Sequence, residues 1–182
     1  MGISGHSKRA ESPLGDRADD GGAMVEFALI LPLLLAFMLG TVTIGISYNR
    51  SISLNNAARE SARYGAVRPV NDDVNQWLNT VADIARAGAT GDLAPGVDGQ
   101  YVCVAYVHPD GTEPADSTTR LIELAGVRTI VTGQSCFLDG RPNEERRVQV
   151  EVRRRSNLEA VIYTQTLTLD SRSVARFERV PS

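Results

Sequence analysis

The chain has 182 residues and a formal net charge of −3, so its length allows one modest folded domain and its near-balanced charge does not indicate nucleic-acid binding. Its two histidines and two cysteines form no C-x-x-C pair or H-E-x-x-H helix, and no Walker loop or G-x-S-x-G turn is present. A metal site at His108 and Asp110 would lack further ligands nearby. The sequence therefore predicts no enzyme, no metal site and no cofactor.

The first 20 residues are polar and carry charges of both signs. They cannot build a hydrophobic core, and we predict that they are disordered or removed as part of a leader, residues 1–21. An ordinary secretory signal is excluded, because the apolar run that follows exceeds the roughly 7–15 residues of such signals and no A-x-A site follows it.

An uncharged apolar run extends from Phe27 to Tyr48 and contains 22 residues. As a helix it would be about 33 Å long, which is enough to cross a hydrocarbon core of about 30 Å. Pro32 is tolerated in such a helix with a kink, and Ala36 with Gly40 forms a small-xxx-small pair that lets a second helix approach closely. The sequence predicts a membrane span at about residues 27–48, and a plain single-pass anchor is the simplest interpretation.

The helix is predicted to continue past Asn49, so that one long helix covers residues 22–68. Small and apolar residues recur there at helical spacing, while charged residues supply solubility. This stripe consists of Ile52, Leu54, Ala57, Ala58, Ser61, Ala62 and Gly65. Gly65 and Pro69 are typical of a helix end.

The remaining chain, residues 69–182, is predicted to form an α+β domain. Asn71 is the expected N-cap of a second helix, whose apolar stripe around Trp77 indicates a core face. Alternation predicts strands at Tyr101–Val107, at residues 146–155 and within 160–177, and short connections favour antiparallel pairing. Residues 121–132 are ambiguous between helix and strand. The fold class is therefore α+β: a long N-terminal transmembrane helix that continues into a small domain with a second helix and an antiparallel sheet.

Arginines cluster at both ends of the predicted 146–155 strand. These are Arg146, Arg147, Arg153, Arg154 and Arg155. Charged residues of this kind protect a sheet edge from pairing with other chains, so we expect a solvated edge strand. Contact with an anionic surface or a neighbouring subunit is the alternative.

A single carboxylate, Glu26, stands at the start of the apolar run, in the sequence G-G-A-M-V-E-F-A-L-I-L-P from Gly21 to Pro32. An unpaired carboxylate submerged in lipid costs a few kcal/mol, so its position calls for an explanation. The stretch resembles the processing site of type IV-like prepilins. More closely, Val25–Leu35, Gly40 and Ala57–Ala66 resemble the TadE-like family, the minor pilins or pseudopilins of tight-adherence (Tad) pili. The middle of the chain shows no such resemblance.

The resemblance implies a processing and assembly mechanism. A prepilin peptidase would cut after Gly21, which makes Gly22 the first residue and Glu26 the fifth residue of the mature chain. Glu26 would then pair with the new α-amine of a neighbouring pilin subunit, within the Tad assembly machinery. Such leaders are usually basic before the glycine, whereas Asp19 and Asp20 stand here, so a cut after Gly22 or no cut remains open.

The resemblance also implies a topology that the lysine and arginine count leaves undecided. The N-terminus would be cytoplasmic and the C-terminal domain extracytoplasmic, in the cell membrane or in a surface pilus. Export would let Cys103 and Cys136 form a disulfide, with two buried thiols as the alternative in a reducing compartment. Two other interpretations remain: a pseudopilin of a related secretion system, and an uncleaved membrane-anchored domain that binds a surface ligand.

Overall fold

The structure is a computed structural model that describes residues 16–68, 70, 73–108, 118–141, 145–160 and 163–177. It confirms the predicted α+β class, with two helices and a five-stranded antiparallel sheet. The elements, in chain order, are α1 (Asp16–Val67), α2 (Val74–Gly88), β1 (Tyr101–Val107), β2 (Thr119–Leu124), β3 (Val127–Thr132), β4 (Arg147–Ala160) and β5 (Tyr163–Arg176).

Helix α1 is continuous over 52 residues and contains Pro32 in its interior. It begins at Asp16, so its first turns belong to the predicted leader. Its N-terminal half is solvent-exposed despite being strongly apolar, and its C-terminal half packs on the domain. Helix α1 is long and apolar enough to cross a membrane, which supports membrane anchoring.

Helix α2 is capped by Asp73, whose side chain accepts hydrogen bonds from the backbone N–H groups of Asn75 and Gln76. The prediction of Asn71 as the N-cap was wrong about the position, because Asp73 provides the carboxylate at the point where the chain turns into the helix. Asn71 itself lies outside the described residues. The predicted core stripe is confirmed, since Trp77, Leu78 and Val81 are buried.

The strand order is β3-β2-β1-β4-β5, and every neighbouring pair is antiparallel. The ambiguous stretch 121–132 is a hairpin of β2 and β3, joined at Ala125 and Gly126. Both residues have positive φ, 50° and 86°, as two-residue turns that match the strand twist require. One tight turn thus divides residues 121–132 into two strands, and the residue types around this turn give no signal of it in the sequence.

The two helices cover one face of the sheet, with α1 on β4 and β5 and α2 on β1 and β2. Four buried alanines let α1 lie close to its neighbours, and we call them the alanine seam: Ala57, Ala58, Ala62 and Ala66. Gly65 continues this surface, because a Cβ there would lie 3.0 Å from Trp77 and 3.2 Å from both Val81 and Val148. Small residues therefore set the approach of α1, as the sequence predicts.

The arginine-rich strand β4 lies inside the sheet, between β1 and β5. The prediction of a charged edge strand was wrong, because the long β5 pairs with β4 along its full length. Its arginines bind carboxylates of the same chain instead: Arg147 binds Asp139 and Arg154 binds Asp92. Alternation places a side chain on a sheet face, but it does not reveal which strand will form the edge.

Candidate functional site

The candidate site is the exposed N-terminal half of α1, where the predicted processing and assembly residues lie. Glu26 is exposed between exposed apolar neighbours, with Val25 and Phe27 both 61% exposed. Within the part of the chain that the structure describes, the Glu26 carboxylate has no hydrogen bond or ion pair. It is therefore available to a group from another molecule.

Gly21 and Gly22 have no packing reason to be glycine. A Cβ built at either position meets no atom within 4 Å, in contrast to Gly65, whose surroundings are tight. Glycine inside a helix costs about 0.5–1 kcal/mol relative to alanine. Packing among the described residues therefore does not require glycine at these two positions.

The predicted helix-packing residues Pro32, Ala36 and Gly40 lie on the same exposed half of α1. A Cβ at Gly40 would also meet open space, so this surface can admit a second helix. Nearby, the hydroxyls of Thr41 and Thr43 donate to the carbonyls of Phe37 and Leu39, at 2.8 and 2.9 Å. These bonds keep the hydroxyls satisfied within the helix itself, as an apolar environment requires.

A comparison with protein families bears directly on this half of the helix. Residues 21–63 match the family model of the TadE-like proteins. The match confirms the predicted resemblance, and it begins at Gly21, includes Glu26 and ends within the alanine seam. It suggests a pilin-like protein associated with a Tad pilus. No curated protein and no solved structure gives a significant match to the chain.

Beyond the TadE-like segment, residues 21–63, the structure contains the predicted disulfide. Cys103 on β1 and Cys136 in the loop between β3 and β4 are joined, with 5.9 Å between their Cα atoms. Gln149 of β4 fastens the same loop: its side-chain oxygen accepts from the Cys136 N–H at 3.1 Å, and its amide donates to the Asp139 carboxylate at 2.9 Å. The loop 133–141 is thus fixed on the sheet face opposite the helices.

Asp139 completes this fastening through a buried ion pair with Arg147, whose side chains are 7% and 5% exposed. Burial disfavours the charged carboxylate, but hydrogen bonds from Gln149 and Arg147 outweigh it and lower the pKa of Asp139 below its ordinary value. The lining of the groove beside the loop includes His108 and Arg141. Among the described residues, no three His, Cys, Asp or Glu side chains could hold a metal, and Asp110 lies outside them.

A second buried network was missed at the sequence level. The fully buried Glu123 of β2 accepts from Gln100 at 2.9 Å and from Arg128 at 2.7 Å, and Arg86 of α2 lies 3.4 Å away. Arg128 also binds Asp83 of α2. Burial of the Arg128 guanidinium disfavours its charge, but hydrogen bonds to Asp83 and Glu123 raise its pKa above the ordinary value. This network joins α2 to the β2–β3 hairpin. Its members come from separate segments of the chain, so no sequence motif predicts it.

Proposed function

We propose that the chain is a minor pilin or pseudopilin of a Tad-type adhesive pilus, processed by a prepilin peptidase and assembled through α1. The observation that carries the proposal is the family match over residues 21–63, which covers Gly21, Gly22 and Glu26. The described residues outside this segment form a folded domain in which Glu123, Asp139 and Arg147 belong to buried structural networks. In this proposal the helix carries the domain, and the domain has no catalytic role.

Processing after Gly21 is supported by the open space around both glycines. A peptidase must draw the peptide into an extended conformation, and glycine lowers the cost of leaving the helix while presenting no side chain. Because neither glycine packs against the described part of the fold, a cut between them breaks no packing contact of either glycine.

Assembly through Glu26 is supported by its exposed position and by the lack of a partner for its carboxylate among the described residues. A carboxylate that enters the membrane or a helix bundle unpaired costs a few kcal/mol. The α-amine created by processing of a neighbouring pilin subunit has the opposite charge and lies near the same depth. Pairing offsets the desolvation of both groups and fixes the axial offset between subunits.

The same proposal gives the chain a place and its partners. It is a single-pass protein of the cell membrane, with a cytoplasmic N-terminus and an extracytoplasmic domain, where an oxidising environment maintains the Cys103–Cys136 disulfide. Other pilin subunits pack against the surface at Pro32, Ala36 and Gly40, and the Tad assembly machinery extracts the helix from the membrane.

The N-terminus of the membrane-extracted protein tests processing. In cells that contain the peptidase, mass spectrometry is expected to find a chain that begins at Gly22. Gly21→Val should retain the leader, whereas Gly45→Val, which also enters open space on α1, should be processed normally. A start at Ala23 would place the cut after Gly22, and detection of the Met1 form alone favours an uncleaved anchored domain.

Incorporation into pili tests the pairing. Glu26→Gln removes the charge with little change in shape, so the variant should insert into the membrane but be lost from sheared pilus fractions. Glu60→Gln makes the same change at another exposed glutamate of α1 and should assemble normally. Equal incorporation of both variants contradicts a role for Glu26 in pairing.

A further inference from the structure

Helix α1 and strand β4 run side by side in opposite directions. Gly65 lies against Val148, while Ser47 lies 3.4 Å from Ser156. The 18 residues of helix between Ser47 and Gly65 span about 27 Å, and the eight residues of strand between Val148 and Ser156 span about 26 Å. The strand therefore follows the helix axis toward the apolar half of α1.

The β4–β5 hairpin extends beyond this contact. After Ser156 the strands form four more pairs, which end at Ala160 with Tyr163. At about 3.3 Å per residue, these pairs carry the hairpin about 13 Å further along α1, to the level of about Met38. The hairpin thus overlaps the final part of the predicted membrane span.

This end of the hairpin is a two-stranded ribbon with open edges. Strand β1 pairs with β4 only as far as Tyr101 with Arg153, and β5 is the last strand of the sheet. Half of the ribbon's backbone N–H and C=O groups point away from the partner strand. Hydrocarbon cannot satisfy such groups, each at a cost of several kcal/mol, so the ribbon requires water or lipid headgroups.

The composition of α1 also indicates that the hydrocarbon ends near the level of the hairpin end. Within the apolar run, every hydroxyl lies in its last eight residues, on Thr41, Thr43, Ser47 and Tyr48. The run from Phe27 to Gly40 has none. Ser47 is only 8% exposed, because the hairpin covers it. Tyrosine at this position is typical of a membrane interface.

We propose that the end of the β4–β5 hairpin, from the Ser156 pair to the Ala160 pair, rests on the lipid headgroups of the adjoining leaflet and sets the depth of α1. The hydrocarbon-spanning segment is then about residues 21–40, which at 1.5 Å per residue matches a core of about 30 Å. The four charged residues within 16–20 mark the other limit of this segment. Glu26 lies about 7 Å inside the hydrocarbon rather than at its boundary. This inference requires membrane insertion but no pilus.

Spin-label depth measurements test the proposal directly. The described cysteines are both in the disulfide, so a single introduced cysteine provides the site for a thiol-specific nitroxide. Leu31→Cys, Met38→Cys and Ile46→Cys are made in the full chain, reconstituted in phosphatidylethanolamine–phosphatidylglycerol vesicles. We expect Leu31 to be deepest, Met38 near the headgroups and Ile46 accessible to a water-soluble relaxation agent. A maximum depth at Met38, with Ile46 shielded from that agent, overturns the proposal.

A shortened hairpin tests whether the hairpin causes this depth. Replacing residues 158–165 with Asn-Gly closes β4 and β5 by a tight turn directly after the Asn157–Thr166 pair and removes the last three pairs of the ribbon. The deepest label should then shift from Leu31 toward Met38. Deletion of residues 111–116, between His108 and Thr118 at the opposite end of β1, is the control and should leave the depth unchanged.

Folding is checked by retention of the Cys103–Cys136 disulfide and by circular dichroism. An unchanged depth of the labels in the folded hairpin variant refutes the proposal that the hairpin sets the depth of α1. The depth profile must also be independent of the protein-to-lipid ratio. A profile that shifts on dilution assigns this surface to a neighbouring copy of the chain and likewise overturns the proposal.

Discussion

Helix α1 is attached to its domain by two chemically different stretches. The alanine seam, Ala57, Ala58, Ala62 and Ala66, is almost wholly buried. Closer to the membrane, α1 contacts the domain through side-chain hydrogen bonds and ion pairs, and we call this stretch the polar seam: Ser47, Arg50, Ser53 and Asn55. The first excludes water by close packing, while the second consists of polar contacts, of which Ser47–Ser156 is buried and those of Ser53 and Asn55 are exposed.

The difference indicates a division of labour along one helix. Close packing of small residues gives the alanine seam a large, geometry-dependent share of the stability. Polar contacts of this kind, most of them exposed or partly buried, contribute about 0.5–1.5 kcal/mol each, so the polar seam orients the membrane-proximal loops without dominating folding. The domain is therefore attached firmly to the part of α1 far from the membrane and more loosely to the part next to it.

The largest effect is expected from Ala62→Asp in the alanine seam. Ala62 is 0% exposed, and an unpaired charge there should cost about 3–5 kcal/mol of unfolding free energy. Asn56→Asp places the same carboxylate on the exposed side of α1 and should change stability little. Urea unfolding of the full chain in micelles, followed by the fluorescence of Trp77, measures both. Equal stabilities would show that the alanine seam is not the main attachment.

A second, smaller effect tests whether burial, rather than polarity, determines how much a contact contributes to stability. Two ion pairs outside the seams, one buried and one exposed, provide the comparison. Asp139→Asn removes the charge from a buried ion pair and should cost about 3 kcal/mol at neutral pH. Asp98→Asn alters a pair whose side chains are 57% and 71% exposed and should cost almost nothing. If both cost the same, burial is not the deciding variable.

The pH dependence of the Asp139 effect has a definite sign. Because hydrogen bonds from Gln149 and Arg147 lower the pKa of Asp139 in the folded state, its contribution is fully present above the unfolded pKa of about 3.9 and is lost as the pH falls through the folded pKa. The stabilities of the wild type and Asp139→Asn should therefore converge in acid. A difference that persists at low pH would assign the effect to packing.

These comparisons also show what sequence can supply. Local patterns predict α1, the core stripe of α2 and the β1 strand, because each depends on spacing along one stretch. Strand order, the interior place of β4 and the burial of Glu123 depend on which distant segments meet, and alternation carries no such information. The candidate site could be proposed from sequence because Gly21, Gly22 and Glu26 lie within six residues, and their role stays a prediction. The contact of Ser47 with Ser156, in contrast, spans 109 residues.

A smaller effect on stability is expected from a change at Asp92, which binds Arg50 of the polar seam and also Arg154 of β4. Asp92→Asn should cost about 1.5 kcal/mol, since charge-assisted hydrogen bonds are lost at a partly buried site. Amide hydrogen exchange should accelerate in residues 89–100 while α2 remains protected. Asp170→Asn, at an exposed residue of β5, is the control. Loss of protection throughout α2 would show that the polar contacts and the packed core do not respond separately.

The smallest effect is expected for the hydroxyl pair at the membrane end of the polar seam. Ser47 and Ser156 lie 3.4 Å apart, and Arg50 also donates to Ser156 at 3.2 Å. A double-mutant cycle of Ser47→Ala and Ser156→Ala isolates the coupling between the hydroxyls, which we expect to be about 0.5 kcal/mol. Each alanine leaves the backbone and the shape of the contact nearly unchanged, so the cycle reports the bond itself.

The cycle on Ser53 and Thr90, whose hydroxyls are 3.0 Å apart in an exposed position, provides the matched reference. If water competes for both pairs, their coupling energies should agree within a few tenths of a kcal/mol. Ser47 and Ser156 are 8% and 1% exposed, so a coupling of about 2 kcal/mol for this pair alone would mean that burial under the hairpin strengthens their hydrogen bond. That result would make the membrane end of α1 as firmly attached as the alanine seam, and the domain would then move with its membrane helix as one body.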